Sequence, residues 1–131
     1  MNKRLMAIQY FHADEINEIA KSIIQHLNME HIQINKIKFI RSRGSRSKRI
    51  LARIHGTPLI FQKALSLDAH YIIEMIEEQY NKLSQKEQEK VIIHELLHIP
   101  KGFKGGLLPH KNNITEKKVS RFHEEFLQRK K

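Results

Sequence analysis

The sequence predicts a single α+β domain over residues 1–131. It is a small, mostly antiparallel three-stranded sheet packed with helices, one of them central and buried. Three observations carry this reading. Apolar residues recur at helical spacing in some stretches and alternate with polar ones in others. The two kinds of stretch are interspersed along the chain, the pattern of a sheet with helices packed against it. At 131 residues the chain is of one-domain length and long enough to bury its own core.

The elements follow in order. In Ala13–Leu27, Ile16, Ile19, Ile23 and Leu27 fall three or four apart, an amphipathic helix with one buried stripe, and Asp14 and Glu15 suit its first turn. Ile32–Arg43 places Ile32, Ile34, Ile37 and Phe39 in near-alternation, a strand with an irregularity near Asn35. The stretch "RGSRSK" turns the chain at Gly44. Arg49–Gly56, with Ile50, Ala52 and Ile54 on one face, returns as the second strand of a hairpin. Thr57 as N-cap and Pro58 at the first helical position start a short helix. His70–Ile76, "HYIIEMI", is the third strand. Ser84 and Glu87 form a capping box for a helix from Gln85 to about Ile99, where Pro100 stops it. A last helix spans roughly Thr115–Gln128, with Val119, Phe122 and Phe126 on one face.

Composition narrows the function classes. A chain that is 40% hydrophobic and 29% charged is globular, and no apolar run reaches the length of a membrane span. The N-terminus has no small-residue cleavage site and does not read as a signal peptide; a cytoplasmic location is expected. There is no cysteine, which rules out disulfides, thiolate ligands and a Cys nucleophile. Any transition metal must be held by histidine and carboxylate. The net charge is +10, concentrated in Lys36, Lys38, Arg41, Arg43, Arg46, Lys48, Arg49 and Arg53 with no acid among them. Such a run is a solvated tip, a polyanion site with nucleic acid as partner through Arg41, Arg43, Arg46, Lys48 and Arg49, or a site for acidic peptides near a cleft. Few aromatics interleave it, so base stacking is not expected.

The chemistry concentrates in "VIIHELLHIPKGFKGGLLPH", Val91–His110. At about 100° per residue, His94 and His98 project from one helix face, one turn apart, and can share one ion. Glu95 flanks that ion without having to ligate it, the place for a carboxylate that takes a proton from water. Ile92, Ile93, Leu96 and Leu97 fill the rest of the circumference, so this half of the helix must be buried. A catalytic zinc takes three protein ligands and keeps a fourth position open. The loop "PKGFKGGLLPH" holds three of the five glycines and two of the three prolines and can swing His110 back to the ion. Rival third ligands are His123, Glu124 and Glu116 on the last helix.

"RSRGS", "HYIIE" and "VIIHELLHIPKGFKGGLLPHK" together resemble a family of small metallopeptidases of archaea and phages, over about residues 30 to 111. The resemblance implies a minimal zincin fold, distantly similar to SprT-like proteases. It implies one zinc per chain on His94, His98 and His110, with Glu95 as catalytic base and a protein or peptide as substrate. An oxyanion or substrate contact is then needed, with Tyr71 and His70 as candidates beside Tyr80, Arg43 and Lys104. A substrate strand would add to a sheet edge, for which "HYIIEMI" is the candidate. The alternative is a basic nucleic-acid-associated binding protein with a structural metal or none.

Overall fold

A computed structural model describes residues 7–131. Residues 1–6, with the start of the segment expected to lack a signal peptide, lie outside the described residues. The described elements run β1 (Gln9–His12), α1 (Asp14–His26), β2 (Ile37–Arg43), β3 (Ala52–Gly56), α2 (Leu59–Leu65), β4 (Tyr71–Ile76), α3 (Glu77–Tyr80), α4 (Gln85–Leu96) and α5 (Glu116–Lys130). Among these no helix is long and apolar enough to cross a membrane.

The fold is α+β, but the sheet has four strands and is mixed, in the order β1-β2-β4-β3. The expected hairpin of β2 and β3 is not formed. β4 lies between them, parallel to β2 and antiparallel to β3. The burial of β4 gives the reason: five of its six residues are buried, so both faces and both edges need neighbours. β3 is only half-buried and takes the edge. "HYIIEMI" is therefore the centre of the sheet, and the open edge near α4 belongs to β3. The sequence reading missed β1, a four-residue strand exposed throughout that caps the far edge on β2.

Smaller differences have local causes. The irregularity near Asn35 is a 3-10 turn at Ile34–Lys36, so β2 starts only at Ile37. Thr57 does not cap α2. Its hydroxyl donates to His70 O and accepts from His70 N, and Pro58 takes the cap position. The capping box at Ser84 and Glu87 is formed as expected, fixing the start of α4. Regular helix stops at Leu96, and tightened bonds (His98 N to Glu95 O, Ile99 N to Leu96 O) carry the chain to Pro100.

One sheet face, with Ile37, Phe39, Tyr71, Ile73 and Met75, carries the core, joined by Ile16, Ala20 and Ile23 of α1 and by Ile92, Ile93 and Leu96 of α4. α5 lies against α4. Between them His123 Nε2 and Glu89 Oε1 are 2.7 Å apart, both buried.

Candidate metal centre

α4 holds its functional groups by burying the residues around them. Ile92, Ile93 and Leu96 are fully covered. That fixes the helix rotation and turns His94 and His98 towards a cleft of about 920 Å³ between α4, β3, α5 and the loop after Pro100. His110 reaches the same point from the loop. One ligand atom each from His94, His98 and His110 lies within 4.8 Å of the others, and no fourth His, Asp or Glu joins the group among the described residues.

The donor set fits a metal. His94 Nε2 and His110 Nε2 are 3.1 Å apart. Two nitrogens on one tetrahedral zinc, at about 2.0–2.1 Å each, lie about 3.3–3.4 Å apart. His98 Nδ1 lies 2.7 Å from Leu108 O, so it carries the proton and donates there, which leaves Nε2 as the lone-pair nitrogen. Leu108 N donates back to His98 O at 2.8 Å, which ties the loop to the end of α4. Burial, with His98 and His110 adding to it, pushes His94 down to about 4; burial likewise lowers His98. Both rings are therefore held neutral at neutral pH, the form that ligates.

Glu95 lines the cleft beside the triad and is 7% exposed. Burial raises its carboxyl to about 7. The rival ligands are elsewhere: His123 is engaged by Glu89, Glu116 lines the cleft without joining the triad, and Glu124 is exposed.

The oxyanion candidates fare differently. Tyr71 is buried, and its hydroxyl is taken up by the main chain of the His110 loop, accepting from Gly105 N and donating to Gly106 O, each at 2.8 Å. Tyr80 is buried in the core, and His70 is exposed with its ring at Asp68 O. Neither lines the cleft, and nor do Tyr71, Arg43 and Lys104. Sequence reasoning missed the cleft walls. Ala52 and Ile54 form one side; Lys90, Val91, Val119 and Ser120 form the other, with Leu107 from the loop that carries His110. Val91 is one turn before His94 and Glu95 on α4, a signal that was available; the β3 side was hidden by the mistaken hairpin.

The basic run is divided. Arg41 pairs with Glu15, Arg43 with Glu77, Arg53 with Glu74 and Lys36 with Asp68. Arg46, Lys48 and Arg49 stand exposed on the loop after β2, which Glu78 and Gln79 hold at Gly44 N and Ser47 O. Arg49 also lines the cleft.

A family model described as "Putative phage metallopeptidase" matches residues 8–127, and the chain belongs to that family. No curated protein and no solved structure matches it.

Proposed function

With membership of that family as the starting point, we propose that the protein is a zinc-dependent peptidase. His94, His98 and His110 hold the ion and Glu95 is the general base. The observation that carries this reading is the three-histidine cluster with no fourth protein ligand among the described residues, at the wall of a cleft that also contains Glu95. A closed structural site would normally use four ligands. Bound there, zinc supplies Lewis acidity, acidifying a water and polarising a peptide carbonyl.

The chain's own groups do the rest. Glu95 takes a proton from the attacking water on a carboxylate oxygen and delivers it to the leaving amine nitrogen. Burial raises this group towards neutrality, the useful range for such a shuttle, and a cation beside it favours its charged form. The substrate backbone binds along β3. Leu51 O accepts from Ile76 N and Thr57 N donates to His70 O, so the odd-numbered residues of this stretch bond inward to β4. By the alternation of an antiparallel ladder, the main-chain groups of Ala52 and Ile54 point outward, where a peptide strand can pair with them.

Glu95→Gln tests the assignment. The variant should keep its zinc and lose hydrolysis of an unfolded protein by at least about 100-fold. Hydrolysis that survives in a zinc-loaded Gln variant would remove Glu95 from the chemistry.

A further inference from the structure

We infer that Tyr71 is a positioning residue for the metal centre: its hydroxyl clamps the loop that orients His98 and delivers His110. The inference rests on the reading of the three histidines as metal ligands.

Tyr71 is fully buried at the start of β4, under the sheet's core face. Its ring packs edge-on against Phe103, with centroids 4.9 Å apart. Its hydroxyl makes two main-chain bonds at once, accepting from Gly105 N and donating to Gly106 O. Two residues further on, Leu108 exchanges bonds with His98, through His98 Nδ1 and His98 O. Two more residues lead to His110, whose carbonyl accepts from Asn113 N and Ile114 N. The clamp therefore lies directly upstream of Leu108, which fixes the ring of His98, and of His110 itself.

A second fastening acts on the same stretch. Gln62 Nε2 donates to Thr57 O and to Lys104 O, each at 2.9 Å. Gly56 and Gly105 touch so closely that a Cβ at Gly56 would collide with Gly105 O, and one at Gly105 with Thr57 O. Gly105 also has φ +100°, a conformation that favours glycine. The loop thus has one seat against β3 and β4, held there by two side chains, the Tyr71 hydroxyl from beneath and the Gln62 amide at Lys104 O. Groups that orient metal ligands from outside the ligand set typically change affinity by about 10–100-fold when removed.

The test is the zinc affinity of Tyr71→Phe at 20 °C, measured by competition with a chromophoric chelator. Phenylalanine keeps the ring against Phe103 and removes only the clamp. About tenfold weaker zinc binding is expected, with a changed visible spectrum of the cobalt-substituted protein. Ala20→Gly, a buried change in α1, serves as control; it should lower thermal stability and leave the zinc affinity alone. Should Tyr71→Phe fail to fold, Gln62→Ala releases the same loop at Lys104 O and is read in its place. Zinc affinity unchanged in the Tyr71 variant, or shifted equally in the Ala20 control, would overturn the inference. Wild-type protein that takes up no zinc would overturn the metal reading itself, and the inference with it.

Discussion

The pair of His123 and Glu89 is the most exacting test of how α4 is held in place. The two side chains are 2% and 5% exposed, with Nε2 and Oε1 2.7 Å apart. Glu89 Oε2 has a second, longer bond from Gln85 at 3.3 Å. His123→Leu roughly conserves volume and removes the short bond. One carboxylate oxygen is then left buried without a partner. Removing one member of a buried pair typically costs about 3–5 kcal/mol. The surviving Gln85 bond places this case at the low end, about 3 kcal/mol. For a chain of this length that is a fall in Tm on the order of 10 °C. Urea unfolding of His123→Leu, Glu89→Leu and the double variant completes the cycle. The double variant should recover most of the loss, because no polar group is then stranded, giving a coupling of about 2 kcal/mol or more. Single variants that each lose under about 1 kcal/mol, with no coupling, would show that this pair does not hold α4 in place.

Other predictions concern the site and its surroundings. Burial holds the folded-state pKa of Glu95 at about 7, above the ordinary carboxylate value, so its ionisation opposes folding of the metal-free protein. That penalty is absent below about pH 4.5, grows as pH rises and is complete above pH 7. Metal-free Glu95→Gln should accordingly be more stable than wild type by up to about 3 kcal/mol at pH 8 and nearly equal to it at pH 4.5; a pH-independent difference in urea titrations would contradict this. Ala52→Pro removes an outward amide of β3 and leaves the ladder intact, so KM for an unfolded substrate should rise roughly 2- to 10-fold, with circular dichroism unchanged. If the free basic loop binds nucleic acid, replacing Arg46, Lys48 and Arg49 with Ala should reduce the slope of log K against log salt by about 2–3, while Arg41→Ala, whose guanidinium is already paired, should change it little.

The site was far more legible in the sequence than the sheet was. Helical spacing alone places His94 and His98 on one face, and the Ser84 and Glu87 box anchors the helix that carries them. The glycines and prolines before His110 announced a chain reversal, and the loop does bring His110 to the other two. Strand pairing was harder because it is non-local. β2 and β3 both alternate and are joined by a turn-like segment, so a hairpin satisfied every local rule. The contrary signal was the composition of β4: "YIIEMI" is apolar at five of six positions, as expected of a strand with neighbours on both sides. β1 is exposed throughout and has no amphipathic signature. The Tyr71 clamp joins residues 34 and 35 apart, and a tyrosine in an apolar strand gives no local hint of it.

Metal content shows whether His94, His98 and His110 hold an ion together. The untagged protein, purified without chelator, is analysed by mass spectrometry for metal per chain, alongside His94→Ala and His110→Ala. About one zinc per wild-type chain is expected, with loss of that zinc in both variants. Wild-type protein that stays metal-free after zinc is supplied, or His110→Ala that keeps its zinc, would contradict it.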